Sequence, residues 1–354
     1  MKDRNTMPDT ASTDNEPSKA IPIPQTSPPT DRFKTFHNKG RWQGLPLRVE
    51  DTGALPAFEQ VVPLDASGDS PDVLMFGVPN YGMMAGQPTN VFLLGYVAEP
   101  ERKLTLVDAG ATDAWVELLA AFEHSGIPLE RIGQIILTHT HPDHIGNAQA
   151  IQERTGASVW AHPRETQQIE RFGNGVEIGH WVADDETIAC DGFSVETILT
   201  PGHSPGHFCV VEPASRVLIA GDMISGFGSV GIFPPNGSMR EYIESLRRLQ
   251  AAYETTPFSC VCPGHGPVIP DARAKIAEYI VHRLQREEEV FAAVAAGAGT
   301  IDDLMPSIYP DVQEHLAWPA RSTLQAHLDK LVEDGRVQGS SEDGYGIASP
   351  SPSQ

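Results

Sequence analysis

The chain has 354 residues, 40% hydrophobic and 20% charged, enough for one large domain, a small companion and a well-buried core. Its 25 basic against 47 acidic residues give a formal charge of −22, a surface that repels phosphate backbones and argues against generic nucleic-acid binding. No apolar run reaches the roughly 18 residues of a membrane span, no basic-then-apolar leader opens the chain, and four cysteines make no disulfide framework at this length, so a cytoplasmic protein is expected.

Residues 1–35 are rich in Pro, Ser and Thr, and their five basic and five acidic side chains cancel. With too few large apolar residues to build a core, this stretch reads as a disordered tail. The charge therefore sits on the rest. From 36 to 266 short strand runs alternate with helices. "VLMFGV", "NVFLLGY" and "KLTLVDAG" suggest an antiparallel meander. "DAWVELLAAFEHSG" follows as an amphipathic helix with Trp115, Leu118, Leu119 and Phe122 on one face and Gly126 as its stop. "RIGQIILTH", "ASVWAHP", "FSVETILTPGH", "HFCVVEP" and "RVLIAGD" continue the alternation, and "MREYIESLRRLQAAY" is a second clear helix. Two sheets with helices on their outer sides are expected. Cys260 and Cys262 alternate in a strand-like run and read as small buried hydrophobes.

After 266 the pattern becomes helical. "DARAKIAEYIVHRLQREEEVFAAVAAG" carries Ile276, Ile280, Leu284 and Phe291 near helical spacing. Short helices follow, ending in "ARSTLQAHLDKLVEDG", and "RVQGSSEDGYGIAS" reads as two strands around a turn. Residues 267–340 thus look like a winged helix, with 341–354 as a C-terminal tail. Seven basic and twelve acidic residues give 267–340 a net charge of −5. A DNA-reading winged helix presents a basic helix, so no duplex DNA partner is expected; this unit should cover the larger domain or a second copy in a homodimer.

The chemistry concentrates in "ILTHTHPDHIGN", where His139, His141, Asp143 and His144 leave the end of a strand. Residues two apart in extended backbone project to one side, so His139 and His141 can share a point. Asp143 and His144 begin the next helical turn and can face a second one. Asp108, His203, Asp222 and His265 each follow another apolar strand. A "PGH" or a "GD" alone marks only a turn; four such strand ends in order, one before this motif and three after it, point to a metal site.

These residues resemble the metallo-β-lactamase superfamily over roughly 55–266. The resemblance implies an αββα sandwich of α/β class, here followed by a small winged-helix domain. It implies two divalent metal ions per chain, zinc with manganese or iron also compatible. His139, His141 and His203 would hold one, and Asp143, His144 and His265 the other. Asp222 would bridge them, and Asp108 would orient a histidine ligand. Asp108, Asp143 and Asp222 are then the catalytic carboxylates. "TPGHSPGH", "PGHGPVI" running into the helix with His282-Arg283, and "HLDKLVEDG" from His327 to Gly335 resemble the subgroup with a C-terminal winged helix. That subgroup includes an animal mitochondrial endoribonuclease and fungal polyketide thioesterases; the wider fold also resembles hydroxyacylglutathione hydrolase.

Three functions follow from the resemblance. The first is hydrolysis of a small-molecule ester or thioester by a metal-bridging hydroxide. The second is cleavage of single-stranded RNA, which the charge of −22 opposes. The third is a persulfide dioxygenase using one iron, which leaves Asp143, His144 and His265 without purpose. The hydrolase is the preferred reading. His207 is expected to pack near the site, and His124, His162 and His180 to have ordinary surface roles. Tyr81, Met83, Met84, Phe227 and Phe233 either rim a pocket for an acyl chain or fill the core.

Overall fold

The computed structural model describes residues 57–61, 70–81 and 87–348. The expected disordered tail 1–35, Met83, Met84 and the last six residues of the C-terminal tail lie outside them.

Seven strands form the first sheet in chain order: β1 (Glu59–Gln60), β2 (Asp72–Val78), β3 (Thr89–Gly95), β4 (Leu104–Val107), β5 (Ile132–Ile136), β6 (Ser158–Ala161) and β7 (Ile178–Trp181). The first four pair antiparallel, the meander expected from their short runs. From β4 onward the pairing is parallel, and helices make the crossovers. These are α1 (Trp115–His124), the single turn α2 (Pro142–Ile145), α3 (Ala148–Thr155) and α4 (Thr166–Phe172). The second sheet holds β8 (Thr187–Ala189), β9 (Ser194–Leu199), β10 (Phe208–Glu212), β11 (Val217–Gly221) and, after helix α5 (Met239–Thr255), β12 (Cys260–Pro263), in the order β12-β11-β10-β9-β8.

Side-chain alternation sorts these strands into layers. In β3, Val91 and Leu93 join a core with Leu118 and Phe122 of α1, while Phe92 and Leu94 face the other way. In β11, Val217 and Ile219 meet Phe92 and Leu94 between the sheets, and Leu218 and Ala220 pack under Tyr242 and Leu246 of α5. The result is the expected αββα sandwich. Cys260 and Cys262 point into the inter-sheet core, and all four cysteines are free.

Three helices and a hairpin complete the chain: α6 (Ala272–Ala295), α7 (Ile301–Ile308), α8 (Ala317–Glu333), β13 (Val337–Ser340) and β14 (Gly344–Ile347). The second wing strand therefore runs past residue 340. Helix α6 serves two cores: Ile276 and Tyr279 pack beneath the second sheet, and Val290 and Val294 join Leu304, Leu324, Leu328 and Leu331. Its buried stripe passes through Arg283 and Glu287, while Ile280, Leu284 and Phe291 flank it half-buried. Among the described residues no helix is long and apolar enough to cross a membrane.

Candidate metal centre

Asp108 follows β4, His139 to His144 follow β5, His203 follows β9, Asp222 follows β11 and His265 follows β12. Strands β4 and β5 run parallel, as do β11 and β12, so their C-terminal ends deliver these residues to one rim. The two sheets join there, where the Asn90 N–H donates to the Gly264 carbonyl at 2.7 Å. Pro142 opens α2 at a position where its missing N–H costs nothing, and the turn carries Asp143 and His144. The Asn147 amide donates to the carbonyls of Ala109 and Ala111 and so ties this turn to the Asp108 loop.

Three ring nitrogens converge: His141 Nδ1 lies 3.1 Å from His139 Nε2 and 2.9 Å from His203 Nε2. Beside them His265 Nε2 is 3.3 Å from Asp143 Oδ2, and His144 Nε2 is 3.7 Å from the same oxygen. Asp222 stands between the triads. Its Oδ1 is 3.5 Å from both His144 Nε2 and His265 Nε2, and its Oδ2 is 3.4 Å from His203 Nε2. The coordinating atoms of His139, His141 and His203, and those of Asp143, His144 and His265, lie within 4.8 Å of one another in each group.

In three of the histidines the other ring nitrogen is committed elsewhere, which fixes the tautomer. His144 Nδ1 donates to Asp108 Oδ2 at 2.8 Å, His203 Nδ1 to the Gly231 carbonyl at 2.8 Å, and His265 Nδ1 to the Pro88 carbonyl at 3.0 Å. Asp108 sits at a left-handed φ of 60°, a strain for a non-glycine residue. The Thr138 N–H at 2.8 Å and the Thr138 hydroxyl hold its carboxylate there. The cluster fits metal ions. His144 Nε2 and His265 Nε2 are buried without a hydrogen-bond partner, an expensive state for a polar atom unless a ligand satisfies it. At Gly264 an added Cβ would run into Asp222 Oδ1, so glycine keeps that space open.

Electrostatics divides the triads. Burial and the neighbouring imidazoles lower His139 and His203, the latter to about 3, and burial also lowers His141. Burial would lower His144 too, but Asp143, Asp108 and Asp222 outweigh it and raise this imidazole to about 9. Asp222 and Asp143 likewise overcome burial at His265 and push it well above the ordinary value. In return, His144 and His265 overcome burial at Asp143 and Asp222 and hold both carboxyls well below their usual range. A cation entering the second triad must displace protons from His144 and His265. Metal uptake at neutral pH should release about two protons per chain, and apparent affinity should climb with pH through neutrality as His144 and His265 give up theirs. Calorimetry in buffers of different ionisation enthalpy reads this directly; proton-neutral uptake would contradict it.

The Metallo-beta-lactamase superfamily pattern matches residues 85–265, just over half the chain, and the Beta-lactamase associated winged helix domain pattern matches 300–344. The chain belongs to the metallo-beta-lactamase superfamily. It is 30% identical over 293 residues to the Atrochrysone carboxyl ACP thioesterase of Aspergillus fumigatus, covering 76% of this chain and 83% of that one. The Beta-lactamase-like protein 2 homolog of Caenorhabditis elegans is 29% identical over 289 residues, 80% of this chain and 91% of that one. A solved metallo-beta-lactamase family protein from Thermus thermophilus shares the fold with a TM-score of 0.63 at 24% identity, covering 78% of this chain and 98% of that one. With its His/Asp cluster, this superfamily member is a metal-dependent hydrolase.

Two features of this metallo-beta-lactamase site were invisible in its sequence. Glu165, 1% exposed, closes a 3-10 turn (Pro163–Glu165) and accepts four hydrogen bonds. The donors are the Thr140 N–H at 3.1 Å, the Thr140 hydroxyl at 2.6 Å, the Gly206 N–H at 2.7 Å and the Ser204 hydroxyl. Thr140 lies between His139 and His141, and Ser204 follows His203, so one carboxylate clamps both loops of the first triad. Glu165→Gln turns an amide NH2 toward groups that all donate. It should cost about 1–3 kcal/mol of stability and weaken metal binding about tenfold. Denaturant melts and chelator competition check this, and unchanged affinity would refute the clamp.

The second feature comes from the C-terminal helices. The Thr323 hydroxyl of α8 accepts the Ile232 N–H at 3.1 Å, and the carbonyl of that same peptide group is the Gly231 oxygen holding His203. Arg283 of α6 donates to the Val230 carbonyl, and the Tyr279 hydroxyl takes the Ser225 N–H at 2.9 Å. The loop after Asp222 is thus pinned from the C-terminal side. His207 Nε2 accepts the Asp222 N–H at 3.1 Å, and its Nδ1 is 2.9 Å from the Thr200 hydroxyl, so both its nitrogens are engaged. Of the histidines expected on the surface, His162 is not there, while His180 is partly exposed. His162 is buried and 3.0 Å from Asp184, and His180 lies in β7, its ring 4.0 Å from that of Trp160. Tyr81 is exposed and donates to Glu117, whereas Phe233 lies edge-on to His203 with centroids 6.2 Å apart.

Proposed function

We propose that this hydrolase cleaves a thioester, or the corresponding ester, of a small molecule. Two divalent ions would be held by His139, His141 and His203 and by Asp143, His144 and His265, with Asp222 shared. The observation that carries the reading is Asp222, with one oxygen directed to each of two complete triads. Bound divalent ions supply a nucleophile from water at neutral pH and polarise the carbonyl under attack. The chain's own residues do the rest. Asp108, Gly231 and Pro88 hold the imidazoles in the tautomer that presents Nε2 to the cluster. Asn80 and Thr89 donate to Asp143 Oδ2 at 3.0 and 2.9 Å and keep that carboxylate aimed. Thioester is preferred because a relative covered over most of its length is named a thioesterase, and because the charge of −22 works against holding RNA. A complete second triad supports two ions over the single iron of a dioxygenase. Zinc, a cytoplasmic location and the division into 1–35, 36–266, 267–340 and 341–354 belong to the same reading.

The test is elemental analysis of metal-replete protein together with hydrolysis of acyl-coenzyme A, acyl-glutathione, a lactone and single-stranded RNA. Two ions per chain and thioester turnover are expected. A stoichiometry fixed at one, or RNA cleavage with every thioester untouched, would overturn the proposal.

A further inference from the structure

Large aromatic side chains are normally buried over most of their surface. Trp318, in the first turn of α8, remains 57% exposed. It is not a stray surface residue, because one face stacks on Phe233 with centroids 5.0 Å apart and planes inclined by 27°. Phe233 in turn meets His203 edge-on at 6.2 Å. Neither Trp318 nor Phe233 belongs to the hydrophobic cores. A ladder of three rings therefore leads from a residue of the first triad out to solvent, and its last rung has a bare face.

The ladder is held rigidly. The Phe233 ring lies over Gly231, where an added Cβ would run into it. The Gly231–Ile232 peptide is fixed at one end by His203 and at the other by Thr323, one and a half turns along α8 from Trp318. One helix thus places both the stacked ring and the support beneath it. Rigid, pre-placed aromatic faces bind flat π-systems well because little side-chain freedom is lost on binding.

We propose that Trp318 and Phe233 form a stacking subsite for a flat aromatic acyl group whose carbonyl lies at the metal cluster. The proposal rests on the thioester reading and narrows its substrate class. A nucleobase could use the same ring chemistry, but it brings phosphates to a chain of formal charge −22. An aromatic acyl group brings none.

The experiment compares the 3-phenylpropanoyl, 3-cyclohexylpropanoyl and acetyl thioesters of glutathione on the full, metal-loaded chain and on Trp318→Ala and Trp318→Phe. The saturated ring matches the phenyl in bulk but cannot stack, which separates stacking from simple apolar burial. The wild type should favour phenyl over cyclohexyl several-fold in kcat/KM. Trp318→Ala should lose about tenfold more on the phenyl substrate than on the acetyl one, mainly through KM. Trp318→Phe should recover most of that loss, and metal content should not change. Equal losses on all three substrates, or none, would overturn the subsite. So would a changed oligomeric mass with unaltered selectivity, which would make Trp318 a contact with a second copy. If no thioester is cleaved, calorimetry with 3-phenylpropanoate and 3-cyclohexylpropanoate decides. Phenyl-selective binding that depends on Trp318 would keep the subsite and sink the thioester reading, and its absence would sink the subsite.

Discussion

Asp222→Ala should abolish hydrolysis and empty the cluster of metal, whereas Asp108→Ala should slow the enzyme while leaving most metal bound. The difference lies in where the oxygens point. Asp222 directs Oδ1 to His144 and His265 and Oδ2 to His203, so its loss removes negative charge from both triads at once. Five imidazoles are then left with Asp143 as the one carboxylate in the two triads, and cation binding worth several kcal/mol to the reaction is lost, about 10³-fold in rate or more. Asp108 touches the cluster only through His144 Nδ1, at 2.8 Å. Removing an orienting partner of that kind typically costs about 10–100-fold in affinity or activity. Elemental analysis beside kinetics on the two variants separates the roles. Should Asp108→Ala empty the site as completely as Asp222→Ala, the assignment of roles would be wrong.

Deleting residues 267–354 should yield a chain that aggregates or melts far below the intact protein, although every proposed metal-holding residue remains. The cut removes Ala272, Ile276, Tyr279 and Ala326 from the core under the second sheet. At about 1.5–3 kcal/mol for each large apolar side chain, the loss approaches the roughly 5–15 kcal/mol that holds a typical domain together. It also strips the loop after Asp222 of Tyr279, Arg283 and Thr323, and with Thr323 goes the support of the peptide that orients His203. Arg240, which bridges α5 to Glu333 and Asp334, is left exposed and adds little either way. Thermal melts and light scattering on the truncated chain are the measurement. A monodisperse truncation with an unchanged Tm would show that the winged helix is a passenger. In α8, Thr323, Leu324, Ala326, His327, Leu328 and Leu331 are all buried; Ala326 packs beneath the second sheet, and Leu324, Leu328 and Leu331 fill the core shared with α6 and α7.

The sequence by itself determined the layers and the cluster. The continuous apolar runs of β3, β10 and β11 are what a strand needs with a helix layer on one side and a second sheet on the other, so two sheets with helices outside could be read without coordinates. The His and Asp residues at the strand ends were equally legible, because few side chains can coordinate a metal and their spacing in "HTHPDH" is set by backbone geometry. Strands β7 and β8 were missed: they run for only four and three residues, too short for their alternation to stand out. The apolar face read in α6 was incomplete, although Ile276, Ile280, Leu284 and Phe291 all pack on its two cores. Arg283 and Glu287 lie in its buried stripe, and charged residues are read as solvent-facing unless their partners are known. Only the tertiary structure could decide what aims the ligands. Glu165 gathers donors from residues 140, 204 and 206, and Thr323 reaches His203 through a single peptide group. Every residue carries a carbonyl and nearly every one an N–H, so nothing in the amino-acid string marks which of them the fold will bring to a histidine.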